Sequence, residues 1–244
     1  MLLLLGLTGF AAGFVDAIAG GGGLITIPVL VSVGLPPVAA FATNKLQSVI
    51  GTLIAATTYW RGGFLDLKAA LAPMLVGFFG GLTGAFAVKQ VDTGLLEHAV
   101  PIALLAIALY FTLAPRLTDA DRRARLDAAV FVPVMAALVG FYDGLFGPGT
   151  GSFLTMGFVA LFGFGVTRAA GYTKAINLMS NAGALALFLP AGDVIAPVAA
   201  VMIVGQVAGG WLGAHTGIRF GAKLIRPMVV VVSVVLALRL LLLR

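Results

Sequence analysis

GFVDAIAGGGGLITIPVLVSVGLPPVAAFATNKLQS, residues 13–48, carries a carboxylate at Asp16, four successive glycines at Gly20 to Gly23 and one lysine at Lys45, all within very apolar sequence. Four flexible residues in a row lose too much backbone entropy to sit inside a helix. The apolar run Leu2 to Ala19 therefore stops at the glycines, and Leu24 to Val33 restarts as a piece of about ten residues. At 1.5 Å per residue such a piece crosses only about half of a hydrocarbon core about 30 Å thick. Gly34-Leu35-Pro36-Pro37 ends it, and Val38 to Trp60 is long enough for a full span.

The same pattern returns at residues 140–181, GFYDGLFGPGTGSFLTMGFVALFGFGVTRAAGYTKAINLMSN. Gly13, Phe14, Asp16, Gly20 and Gly22 map onto Gly140, Phe141, Asp143, Gly147 and Gly149 at a constant offset of 127. After a two-residue insertion the offset becomes 129, taking Thr26 to Thr155, Gly34 to Gly163, Lys45 to Lys174, Gly80-Gly81 to Gly209-Gly210 and Gly84-Ala85 to Gly213-Ala214. A break, a lysine and a glycine pair matching in order identify an internal repeat.

Composition sets the medium. Of 244 residues 61% are hydrophobic and 10% charged, with a mean hydropathy of +1.12, against roughly 25% charged in soluble domains. Apolar runs of about 20 residues recur, and no ten-residue segments of alternating hydropathy suggest a barrel. The expected fold is an all-α polytopic membrane protein of two homologous four-segment repeats, about eight transmembrane segments plus short broken or re-entrant helices. Residues 1–115 form the N-terminal repeat, 116–127 (RLTDADRRARLD) a basic cytoplasmic linker, and 128–244 the C-terminal repeat. Beyond the segments above, spans are expected at Ala69 to Val88, Ala99 to Ala114, Ala128 to Phe146, Thr167 to Pro190, Ile195 to Gly217 and Pro227 to Leu243, with a short piece at Ser152 to Phe162. Met1 to Ala19 has no Lys or Arg before its apolar run, and it reads as a retained first helix rather than a signal peptide.

The net charge of +6 resides mostly between apolar segments, which points to topology and contact with anionic lipid, not to nucleic acid. With the arginine-rich linker cytoplasmic, Arg61 and Lys68 are cytoplasmic too. The bare turn Ala191 to Asp193 and the basic loop of Arg219, Lys223 and Arg226 then fit inverted repeats better than parallel ones. An inverted unit needs an odd number of crossings, so the broken first segment would enter and return on its own side.

GFVDAIAGGGGLITIPVL, then LPP and TNKLQS, resembles the TauE/SafE family of membrane transporters, the sulfite exporter and toluene-sulfonate uptake permeases. GFYDGLFGPGTGSFL with GYTKAINLMSN carries the resemblance through the second half. It implies transport of small sulfur-containing anions such as sulfite, sulfonates and sulfoacetate, in a multi-pass cell (inner) membrane protein.

The residues point the same way independently. Irregular backbone at membrane depth is tolerated where it is buried in protein or lines a wet cavity, and matched breaks in two halves mark a transporter's binding site. After each break a short helix begins, with free N–H groups and the positive end of its dipole. Gly21, Gly22, Gly23 and Gly149, Thr150, Gly151, Ser152 are therefore candidates for holding an anion, the plainer reading being close helix packing. A lysine inside a span costs roughly 2.5 kcal/mol or more. Lys45 and Lys174 could snorkel to the interface, pair with the solute, or form ion pairs with Asp16 or Asp143 within a half or across halves. The two carboxylates would otherwise serve in proton coupling. Thr26, Asn44, Gln47 and Asn177 supply uncharged donors, whose plainer role is helix–helix hydrogen bonding.

Other classes find no support. There is no cysteine, His98 and His215 are isolated, and no P-loop, dinucleotide fingerprint or catalytic constellation is present. No enzyme activity, metal or cofactor is expected. The implied partners are a small anionic solute and the bilayer, with a homo-oligomer left open; the alternatives are an anion channel with the same filter or a carrier of another small organic anion.

Overall fold

The computed structural model describes residues 1–88, 105–106, 108–113, 118–124 and 126–242. Among these there are nine long helical elements and no strand: α1 (Leu2–Ala19), α2 (Gly23–Ser32), α3 (Pro37–Arg61), α4 (Leu67–Ala87), α5 (Ala128–Leu145), α6 (Thr150–Ala160), α7 (Val166–Phe188), α8 (Ala196–Phe220) and α9 (Ala222–Leu242). Of the expected span Ala99 to Ala114, residues 108–113 are helical, and most of the remainder lies outside the described residues, as do residues 89–98 between it and the preceding span.

Among the described residues three helices, α1, α4 and α8, are long and apolar enough to cross a membrane by length and composition. The helices α3 and α7 are as long but carry the two lysines and their polar neighbours, which face inward. Phe79, Phe86, Leu138 and Val204 are exposed, whereas Lys45, Asp143, Lys174 and Gln206 are buried. A polar interior beneath an apolar exterior suits a hydrocarbon solvent, where polar side chains must find partners inside the protein.

Glycine sets the closest helix contacts. A Cβ at Gly209 of α8 would lie 2.0 Å from the Phe10 carbonyl oxygen of α1, and one at Gly84 of α4 would lie 2.0 Å from the Phe141 carbonyl oxygen of α5. The principal contacts are α1 with α8, α4 with α5 and α7, and α3 with α7 and α8. Exchanging α1 with α5, α3 with α7 and α4 with α8 maps this set onto itself. The contacts also fix direction. Gly205, Gly209 and Gly213 meet Gly6, Phe10 and Phe14 in rising order, and Gly210 and Gly217 meet Gly51 and Tyr59, so α1, α3 and α8 run the same way. Gly77 and Gly84 meet Gly140 and Leu145 or its neighbours, and Gly77 and Gly81 meet Ile176 and Ser180, so α4, α5 and α7 run together. The short turn 62–66 reverses the chain between α3 and α4, which sets the two groups antiparallel.

The helix α2 folds back. Its start lies beside Ala12 and Asp16 of α1, and Leu30 near its end clusters with Leu5 at the beginning of α1 and Ala40 at the beginning of α3. The helix α6 likewise returns to the end where α5 began, since Leu126 N donates to the Leu161 carbonyl at 3.3 Å and Arg122 N to the Gly163 carbonyl at 2.6 Å.

The linker is a clasp as well as a connection. The Asp119 carboxylate accepts from Thr167 N at 3.1 Å and Thr167 Oγ1 at 2.5 Å at the start of α7, and from Ala222 N at 3.0 Å at the start of α9. Asp121 accepts from Gly165 N at 2.7 Å and pairs with Arg168. One carboxylate thereby satisfies N–H groups that two helix starts leave without intrahelical partners. This cap also explains a departure from the sequence reading. The stretch Ile218 to Arg226 is not a loop: α8 continues to Phe220, a single Gly221 at φ +53° turns the corner, and α9 starts at Ala222 instead of Pro227.

Candidate functional site

The two glycine breaks meet back to back. A Cβ on Gly20 would lie 2.3 Å from Gly151 Cα, and one on Gly151 would lie 2.4 Å from Gly20 Cα. Gly20 and Gly21 have φ of +73° and +119°, and Gly147 and Gly149 have φ of +88° and +90°, a region that side chains with a Cβ rarely adopt. Ser152 Oγ donates to the Ala19 carbonyl at 3.3 Å and ties one break to the other.

Around this contact the charges pair crosswise. Lys45 Nζ in the first half lies 2.9 Å from Asp143 Oδ1 in the second and donates to the Asp143 carbonyl at 2.7 Å. Lys174 Nζ in the second half lies 3.0 Å from Asp16 Oδ2 in the first. Both lysines are 1% exposed, so neither snorkels to the interface. The two pairs differ in exposure and in the kind of donor around the carboxylate. Asp143 also accepts from Thr150 Oγ1 at 2.9 Å and Ser180 Oγ at 2.7 Å, and its side chain is 3% exposed. Asp16 accepts from Gly21 N at 3.1 Å and Gly22 N at 3.3 Å, and its side chain is 15% exposed. A buried ion pair is tolerated best when its remaining lone pairs and protons find partners, and on both aspartates further donors supply them.

Thr26 Oγ1 of α2 donates to Asn44 Oδ1 of α3, which also accepts from Gln47 Nε2 at 2.9 Å. The corresponding hydroxyls of the second half, Thr155 and Thr173, are 3.2 Å apart. With its oxygen engaged, Asn44 turns its NH₂ toward Gly23, where a Cβ would lie 3.6 Å from Nδ2.

Between the breaks is a polar cavity of about 20 Å³, room for about one water-sized sphere. Of the residues singled out from sequence, Asp16, Gly21, Gly22, Gly23, Asn44, Lys45, Asp143, Thr150, Gly151 and Asn177 line it. Five do not. Thr26 and Gln47 stand behind Asn44, Gly149 caps α6, Ser152 faces Ala19, and Lys174 stands behind Asp16. Ser48, Gly147 and Asn181 complete the lining. Ser48 is the repeat counterpart of Asn177, so the offset of 129 could have promoted it.

A buried amide escaped the sequence reading. Gln206 of α8 presses on Gly51 of α3 and Gly13 of α1, and its Oε1 has no hydrogen-bond partner among the described residues. Its repeat counterpart is Gly77, which is why the repeat gave no signal there. No group of His, Cys, Asp or Glu able to hold a metal occurs among the described residues.

A family model described as Sulfite exporter TauE/SafE matches residues 5–240. The chain is 44% identical over 241 residues to the probable membrane transporter protein ORF9 of Sinorhizobium sp, covering 99% of this chain and 92% of that one. It is 42% identical to a probable membrane transporter protein of Haemophilus influenzae, covering 96% and 91%. It is also 42% identical to the probable membrane transporter protein YfcA of Escherichia coli K12, covering 98% and 90%.

Proposed function

The chain belongs to the sulfite exporter TauE/SafE family of multi-pass membrane transporters, and on that premise we propose that it is a secondary carrier of small anions, sulfur oxyanions or organosulfonates, working by alternating access. The observation that carries this reading is the meeting of two broken segments around one polar cavity, with each half's lysine held by the other half's aspartate. The starts of α2 and α6 present backbone N–H groups and positive dipole ends, and the Asn44 amide adds a donor. Lys45 lines the cavity and is the cation that an anion would meet; Lys174 acts through Asp16.

The formal charges of the two pairs cancel. An anion therefore gains from the lysines only by sharing them with the aspartates, and a proton on Asp16 would release Lys174 toward the solute. Its greater exposure makes Asp16 the coupling carboxylate and Asp143 the structural one.

The halves are read as inverted repeats, 1–115 and 128–244, joined by a cytoplasmic linker. Three observations support this: α1, α3 and α8 run opposite to α4, α5 and α7; α2 and α6 return to the side from which they came; and Arg61, Lys68, Arg122, Arg168, Arg219 and Lys223 gather at one end, as the positive-inside rule requires of a cytoplasmic face. A cavity of about 20 Å³ favours a carrier that must open over a channel with a standing pore.

The test is a thermal-stabilisation screen of the purified protein with sulfite, thiosulfate, sulfate, taurine, sulfoacetate and small carboxylates, followed by counterflow of the best ligand in proteoliposomes. Saturable counterflow of a sulfur anion is expected. A flux that rises linearly with concentration would identify a channel, and stabilisation by carboxylates alone would reassign the solute.

A further inference from the structure

A second cavity, of about 360 Å³, adjoins the central one, and Gly23 lines both. Its wall is apolar, built from Ile27 and Val31 of α2, Phe41 of α3 and Phe188 of α7, with one charged side chain, Arg239 of α9. Among the described residues no carboxylate lines it. Arg239 is half-buried, and its hydrogen bond is from Nη1 to the Leu24 carbonyl at 3.1 Å, in the first turn of α2. No acidic side chain among the described residues pairs with it. A cation in an apolar wall without a counter-ion is costly, and a small anion would offset that cost.

Phe41 stands between the two spaces. Its ring lies 5.1 Å from Lys45 Nζ, reaches to within 3.3 Å of where a Gly147 Cβ would be, and packs edge-on against Phe188 at 5.7 Å between centroids. Its ring thus stands between the large cavity, which it lines, and Lys45 and Gly147, which line the small one. The large cavity is bounded by the start of α3 (Pro37, Val38) and the end of α4 (Val88), the end of the protein opposite the basic linker.

Building on the carrier reading above, we propose that this cavity is an outer anion subsite on the transport path: Arg239 receives the anion from the non-cytoplasmic side, and Phe41 is the partition it passes to reach Gly23, Asn44 and Lys45. The subsite suits a small monovalent or divalent oxyanion, with room for a short apolar substituent against Ile27 and Val31. Arg239 governs capture and Phe41 governs passage, so the two act on different steps.

The absence of cysteine makes a direct test available in the full chain. An Ile27→Cys reporter is exposed, in membranes of known orientation, to an anionic and a cationic methanethiosulfonate of similar size. Reaction from the face opposite the linker is expected, with the anionic reagent favoured at least about fivefold over its ratio at a free thiol, a size that one half-buried charge lining the same cavity produces. Arg239→Gln should abolish the preference and Arg239→Lys restore most of it. A Ser48→Cys reporter in the central cavity should react several-fold faster when combined with Phe41→Ala. The subsite is overturned if Arg239→Gln leaves the charge preference intact, if labelling comes only from the linker face, or if only a membrane-permeant maleimide reaches Ile27→Cys, which would mark a lipid-lined crevice. An unchanged Ser48→Cys rate overturns the partition. These rates need no transported solute, so they stand or fall separately from the stabilisation screen.

Discussion

Lys45 Nζ lies 2.9 Å from Asp143 Oδ1 across a separation of 98 residues, and Thr150, Ser180 and the Asp143 carbonyl add three further hydrogen bonds to the pair. Of the roles that sequence leaves open to Lys45, an ion pair across the halves is the one it holds before any solute arrives.

Truncating one partner should accordingly cost more than truncating both. Lys45→Ala leaves a buried carboxylate uncompensated, a loss of about 3–5 kcal/mol, and the protein should melt well below the parent in detergent. The Lys45→Ala/Asp143→Ala double variant should recover much of that loss. Equal and additive losses in a double-mutant cycle would mean that the two groups do not depend on one another.

Asp16 separates coupling from binding. Asp16→Asn keeps the side-chain volume and the acceptor toward Gly21 N and Gly22 N but cannot exchange a proton. It should retain counterflow of the solute while losing uptake driven by a pH gradient. Full gradient-driven uptake by Asp16→Asn would remove it from the coupling step.

The contact between the breaks should be intolerant. Gly151→Ala brings a Cβ to 2.4 Å from Gly20 Cα, a backbone that cannot yield as a flexible side chain would, and a stability loss above about 2 kcal/mol is expected. Gly6→Ala in α1 is the control: nothing lies within 4 Å of its Cβ, and it should be neutral or stabilise by up to about 1 kcal/mol. Thermal melting of the two variants side by side measures the contrast.

Asp119 should matter for assembly and not for the solute. Asp119→Ala removes the cap shared by α7 and α9 and should cost about 1–2 kcal/mol. The KM for counterflow should stay at the parent value, and a severalfold rise in KM would show that the clasp reaches the cavity.

The sequence made the repeat legible because Asp16, the glycine break and Lys45 recur in order at Asp143, Gly147 to Gly151 and Lys174. It left open which aspartate each lysine meets, since that depends on how the halves face each other and not on any local pattern. Asn44 stood out by its place beside Lys45, but its partner Thr26 is a choice made by the fold-back of α2. Gln206 was invisible because its repeat counterpart is Gly77, and the start of α9 was misplaced because its cap, Asp119, comes from more than 100 residues earlier. Local signals located the breaks; long-range pairing decided what surrounds them.

The crossed pairing also sets a schedule for biosynthesis. Asp143 is made 98 residues after Lys45, and Lys174 is made 158 residues after Asp16. At roughly 5–20 residues per second, Lys45 waits about 5–20 s for its counter-ion and Asp16 about 8–30 s. For that interval a charged side chain must stay with water, lipid headgroups or the insertion machinery, so the first half cannot settle into its final depth until the second half emerges.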